Sequence, residues 1–296
     1  MHEFIASMKV RTAILAVVIL AGLAPASAQE DPNTRWKDTA ELGYVLTSGN
    51  SDTNTFAFKN KLWRVWGINA LEFNMGGLRA KATTRRFAVS DDYLNDPNGP
   101  FEVNEERDLV AEAYYLNGRY DRKLSEHFFW YTGAGWDRNR FAGIENRYIA
   151  AGGVGNLWFN SETMKWRTDY SATYTDQENV VDDPSFDGSF WGVRVTSSFM
   201  KKMGATTTYT NDAIFDENGE ESKDFRANII NGLSVQMTTH LALKVSLQWM
   251  YDNAPATRSL DLYDINPDNG GTKQTTVTEE LDKLDSIFTT SLVINF

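Results

Sequence analysis

The residues able to do chemistry recur at every second position of extended segments. Lys165, Arg167 and Asp169 alternate with Trp166, Thr168 and Tyr170, and Arg194, Arg226 and Lys244 stand in segments of the same rhythm. A spacing of two places such side chains on one face of a strand. A face that carries both signs of charge, backed by a face of Trp, Val, Leu and Tyr, suits the lining of a water-filled passage. Glu41, Lys59, Lys61, Glu72, Arg79, Lys81 and Glu112 complete the expected lumen-lining set.

Bond-making chemistry finds little support. Nucleophilic hydrolysis needs a His base near a Ser, or an Asp–His pair at the mouth of a site. The chain has three histidines and no cysteine. His2 lies in a leader segment, while His127 and His240 fall at short turns, and neither is followed two residues on by Ser. No catalytic residue and no cofactor is expected, and the chain reads as a protein other than an enzyme. Asp264, Asn266 and Asp268 have the spacing of a calcium loop, which makes them the metal candidate of the chain. Asn269 stands where such a loop has Gly, and Thr275 stands where it closes on a bidentate Glu.

These side chains must be positioned by strands. The alternation is clearest over Leu241–Tyr251, where Leu241, Leu243, Val245, Leu247, Trp249 and Tyr251 oppose Lys244, Ser246 and Gln248. On the same criterion the chain contains about twelve strands, and helical i, i+3, i+4 spacing does not organise them. The links alternate in length. Gly67, Asp121–Glu126, Asn160–Thr163, Lys201–Gly204 and Thr238–His240 are short, whereas Thr47–Asn54, Thr83–Asp108, Asp137–Tyr148, Asp176–Ser189, Asp216–Asp224 and Asp252–Lys283 are long. Long loops at one end and tight turns at the other are the signature of an antiparallel transmembrane β-barrel. Strands of roughly 10 residues tilted near 45° cross a bilayer, and a closed sheet satisfies every backbone group there. A negative mean hydropathy is compatible with this, because lipid-facing and water-facing residues alternate and cancel.

The N-terminus predicts the route. Lys9 and Arg11 precede an apolar stretch from Ala13 to Leu23, and Ala26-Ser27-Ala28 forms a small-residue cleavage site. This is a secretory signal peptide over residues 1–28, with the barrel in 29–296 and the bacterial outer membrane as destination. No later segment is apolar over the ~18 residues that a membrane helix needs.

Charge is unevenly placed. The full chain carries a net −11, which disfavours nucleic acid as a partner. Four segments, Phe87–Asp108, Asp176–Ser189, Asp212–Asp224 and Asp252–Asp285, hold 26 acids against five bases. They predict an acidic extracellular rim that is either solvated or holds divalent cations bridging to lipopolysaccharide. The last strand, with Phe288, Leu292, Ile294 and Phe296 alternating, resembles the assembly signal of outer-membrane barrels, which makes the barrel-assembly machinery an expected partner.

Two stretches carry a family resemblance: ELGYVLTSGNSDTNTFAF from Glu41 and GWDRNRFAGIENRYIAAGGVGN from Gly135. They are similar to the salt-induced outer-membrane proteins, domain-of-unknown-function family 481. Their most specific residues include Gly49, Asn50, Asp137, Arg138, Phe141 and Gly143. The resemblance implies an outer-membrane barrel linked to salt stress and brings no catalytic residues. From the residues alone, Ser48-Gly49-Asn50 suits a hairpin loop, and Asp137, Arg138 and Arg140 form either a paired latch or ordinary surface ion pairs. Three functions stay open: a narrow or occluded channel for small solutes or ions, a structural or adhesive envelope barrel, and, last, an enzyme.

Overall fold

The computed structural model describes residues 36–47, 53–88, 102–181, 188–263 and 273–295. The signal segment, Gly49, Asn50, the Asp264–Asp268 stretch and Phe296 lie outside them. Among these described residues, apart from one 3-10 turn, the elements are strands: β1 (Lys37–Thr47), β2 (Thr53–Trp66), β3 (Asn69–Ala88), β4 (Glu102–Lys123), β5 (Phe128–Asn139), β6 (Ile144–Asn160) and β7 (Met164–Asn179). There follow β8 (Ser189–Lys202), β9 (Thr207–Asn218), β10 (Phe225–Gln236), β11 (Leu241–Asp252), β12 (Thr257–Tyr263), β13 (Lys273–Glu280) and β14 (Leu284–Asn295). The 3-10 turn spans Arg140–Ala142.

Twelve strands close on themselves in the order β1-β14-β11-β10-β9-β8-β7-β6-β5-β4-β3-β2, every neighbouring pair antiparallel. The fold is therefore an antiparallel transmembrane β-barrel of the expected strand number. The closing seam is short, with Thr39 facing Asn295 and Leu42 facing Leu292 at its limits. β12 and β13 form a separate hairpin inside the β11–β14 link, a segment expected to be a plain loop.

Large apolar side chains cover the outer face of the wall. Trp191 is 62% exposed and Phe288 70% exposed, which water would punish and hydrocarbon does not. Rings pair along the outer wall near both ends, Trp158 with Trp166 at 5.6 Å and Phe215 with Phe225 at 6.4 Å between centroids, as interfacial belts do. Among the described residues no helix is long and apolar enough to cross a membrane.

Two boundaries differ from expectation. β3 and β4 extend to Ala88 and from Glu102, well into a segment expected to be loop. Beyond the bilayer both faces of a hairpin meet water, so the alternation that marks a strand disappears while the pairing continues. The β5–β6 link, expected to be long, contains only Arg140–Gly143. Gly143 ends its turn at φ 75°, a conformation that suits glycine. The barrel wall is therefore low at this point of the rim.

Candidate functional site: the charged lumen

The interior is identified by side chains that meet although their strands are not neighbours. Arg119 on β4 donates through Nη1 to Asp169 Oδ2 on β7 at 2.6 Å, with β5 and β6 lying between the two strands. Only inward-pointing groups can do this. Carried through the register, that parity places Glu41, Lys59, Lys61, Glu72, Lys165, Arg167, Asp169, Arg194, Arg226 and Lys244 on the inner face. Lys165 is exposed at the short-turn end.

Two R-x-D segments build the central cluster. Arg119-Tyr120-Asp121 and Arg167-Thr168-Asp169 each put an arginine and a carboxylate two residues apart on the inner face. Arg119 binds its own Asp121 at 2.6 Å as well as Asp169, while Arg167 reaches Asp121 at 3.4 Å and Asp169 at 4.0 Å. Thr196 donates its hydroxyl to Asp169 Oδ2 at 2.9 Å. Asp169 is only 1% exposed, and a carboxylate so buried is tolerable because two guanidinium groups and a hydroxyl converge on its Oδ2, while its Oδ1 has no hydrogen-bond partner. The arginine is held from the other side as well, its guanidinium 3.8 Å from the Tyr131 ring centre and 5.8 Å from that of Phe129.

The intervening wall must be thin for this reach. At Gly155, directly opposite both Phe129 and Asp169, a Cβ would strike the Phe129 ring and lie 2.6 Å from Asp169 Oδ1. Glycine is required there by space rather than by backbone angle.

A second set of pairs lines the wall around the seam. Lys244 Nζ on β11 binds Glu41 Oε1 on β1 at 2.6 Å, passing over β14. Lys61 binds Glu72 at 2.8 Å, and Lys59 lies within electrostatic reach of Glu41, Lys244 and Asp212. Toward the long-loop mouth, Arg194 grips Asp216 with two bonds of 2.6 and 3.0 Å. Arg147 pairs with Asp137 at 2.9 Å. Arg226 pairs with Asp224 at 3.3 Å and also donates to Gln177 Oε1 on β7 at 3.2 Å, across three strand positions. Asp216 and Asp252, expected on the acidic rim, thus occupy inward register positions, because their strands run on into the loop segments.

Above these pairs the two rims meet. In the strand order the β5–β6 link and the β11–β14 link stand on opposite sides of the barrel. Yet a Cβ on Gly143 would collide with the Cβ of Ala256 and lie 3.1 Å from Leu281 Cδ1. Ala256 and Leu281 flank β12 and β13 and are tied together by the Leu281 N–H to Ala256 C=O bond of 3.0 Å. The base of the hairpin therefore crosses the mouth and rests on the low point of the opposite wall.

Three expected lumen residues are elsewhere. Arg79 and Lys81 follow the outward row of Phe73 and Met75, and Arg79 is opposed by outward Phe56 and Glu112. Arg79 and Lys81 are exposed, and Glu112 accepts from the Tyr114 hydroxyl at 3.4 Å on the outer side. These three are corrections. The apolar-out rule holds only inside hydrocarbon, and after Gly76-Gly77 the pattern inverts, with Leu78 and Ala80 turned inward. Of the family-motif residues, Asp137 faces inward to Arg147. Arg138 and Arg140 share Glu145, at 2.6 and 3.1 Å, so the three residues do not pair with one another: Asp137 belongs to an inner pair and the two arginines to a separate cluster on Glu145. Phe141 lies in the 3-10 turn, and Gly143 receives the hairpin. Gly49, Asn50, Asp264, Asn266 and Asp268 lie outside the described residues, among which no group of three or more acids and histidines is placed to hold a metal.

Sequence reading missed Arg119, Asp121, Arg147 and Asp216. The signal that finds the first two is the repeated R-x-D spacing, visible only once β4 and β7 are known to share the interior.

Among solved structures, the chain resembles the NanC porin, with 9% identity and a TM-score of 0.45 over 87% of this chain and 98% of that one. It also resembles the KdgM porin in complex with disordered oligogalacturonate, with 5% identity and a TM-score of 0.40 over 87% and 99%. An anion-selective porin from Comamonas acidovorans matches with 9% identity and a TM-score of 0.35 over 89% and 99%. No curated protein matches the sequence. The model of the family described as "Protein of unknown function, DUF481" matches residues 40–266, and the chain belongs to that family.

Proposed function

We propose that the mature chain, after loss of residues 1–28, is an outer-membrane barrel whose narrow polar lumen passes only small ions and solutes. One observation carries this reading: ion pairs and hydrogen bonds join strands that are not neighbours, at Arg119–Asp169, Lys244–Glu41 and Arg226–Gln177. Eight strands are filled by side chains and sixteen or more leave a wide channel. At twelve strands such cross-links decide how much water remains. The lining offers fixed cations and anions in near balance, which favours small polar species of either sign over large ones.

The reading assigns no reaction to the chain. His127 and His240 both sit at the short-turn end, their ring Nδ1 atoms 3.0 and 3.1 Å from the carbonyl oxygens of Leu157 and Asn295. The salt-stress link implied by the family resemblance belongs to this reading and is checked by following protein abundance after a sodium chloride upshift.

Seating of Ala256 and Leu281 on Gly143 favours a second reading, a closed structural barrel whose acidic loops hold divalent cations and lipopolysaccharide. Swelling of proteoliposomes in solutes of graded size separates the two. Swelling with small solutes and none with larger ones supports passage; no swelling in any solute, from barrels shown to be inserted, favours the closed barrel.

A further inference from the structure

We propose that Arg79 and Lys81 form an external site for the phosphate groups of outer-leaflet lipopolysaccharide. The proposal rests on the outer-membrane placement above and is independent of whether the lumen conducts.

Both side chains are exposed and point away from the lumen, two residues apart on β3. That spacing separates the cations by about 7 Å along the strand. Among the described residues neither takes part in an ion pair. Glu112 faces Arg79 in the register but takes the Tyr114 hydroxyl instead.

Their height on the wall is set by aromatic rings. Arg79 lies beside Phe56, which is 45% exposed. One step nearer the membrane centre, Phe58 and Tyr114 close over Gly77 from both sides, each 2.7 Å from where a Cβ would stand. Such rings occupy the headgroup level, so Arg79 and Lys81 stand just beyond it, on the long-loop side. Below them Met75 and Leu116 face each other on the outer wall, exposed and apolar, as acyl chains require. A guanidinium and an ammonium above an aromatic belt and an aliphatic wall match an acylated, phosphorylated glycolipid part by part.

The test uses the full mature barrel in detergent, with bisphosphorylated lipid A as the probe and bound lipid read by native mass spectrometry. Wild-type protein is expected to retain lipid A, and the Arg79→Gln/Lys81→Gln double variant to retain about tenfold less or lower still. Heat-shifted gel mobility of the variant verifies its folding. Dephosphorylated lipid A should be retained equally weakly by both proteins, and inorganic phosphate at the same concentration should not displace lipid A. Equal retention of lipid A by variant and wild type overturns the proposal, as does strong retention of the dephosphorylated lipid. Full displacement by inorganic phosphate also overturns it, in favour of a free-phosphate site. A silent channel assay leaves these outcomes unaffected, so failure of the conduction reading and failure of this site are separable.

Discussion

Arg119 and Asp169 are joined by a 2.6 Å ion pair across the inside of the barrel, although two strands separate them in the wall. The pair fixes which face of every strand is interior. It is flanked by the Tyr131 ring, against Arg119, and by the Thr196 hydroxyl, which donates to Asp169.

Removing one partner leaves the other charged and buried. Asp169→Ala is expected to destabilise the barrel by about 3–5 kcal/mol, read as a lower denaturant midpoint in detergent. Asp169→Asn, which keeps the acceptor for Thr196, should lose less. A double-mutant cycle with Arg119→Ala should show strong coupling, and additivity would mean that the pair does not form.

Gly155 makes room for that pair. Gly155→Ala pushes a methyl group against the Phe129 ring and Asp169, and overpacking of this kind costs about 1–3 kcal/mol. The same unfolding measurement checks it. A neutral substitution would show that Phe129 and Asp169 sit farther from the wall.

At the mouth, Gly143→Leu should unseat Ala256 and Leu281. Because the chain has no cysteine, a Ser246→Cys reporter on the inner face is unique, and its labelling by an external thiol reagent measures access. Faster labelling in the Gly143→Leu background is the expected result. An unchanged rate would mean that the crossing hairpin does not restrict entry.

How much of this was legible follows from where each residue lies. Inside the bilayer one face meets lipid and the other water, so Leu241–Tyr251 displays its parity in the sequence itself, and counting sets Lys244 on the polar face that carries its ion pair with Glu41. Arg79, Lys81 and Glu112 lie where the hairpin leaves the bilayer, and there the sequence holds no cue to direction except the Gly76-Gly77 pair that precedes the inversion. The Arg119–Asp169 contact depends on two strands 50 residues apart sharing an interior, which is a property of barrel closure rather than of either strand. Gly143 was conspicuous as a motif residue, but its role needs Ala256 and Leu281 from the opposite rim.

The lipid-facing assignment is tested at Val195, midway between outward Trp191 and Phe199 on β8. Val195→Arg should cost about 2–4 kcal/mol, whereas Thr196→Arg, one residue away and facing inward, meets Asp169 and should cost less. Equal losses would contradict the parity.

Single-channel recording of the wild-type barrel in a planar bilayer tests the cross-linked, narrow lumen most directly. Small, discrete conductance steps, well below those of a sixteen-stranded porin measured in the same bilayer, are predicted, rising in the Arg119→Ala variant. Steps as large as the wide porin's, or silence from barrels whose insertion is verified, would contradict it.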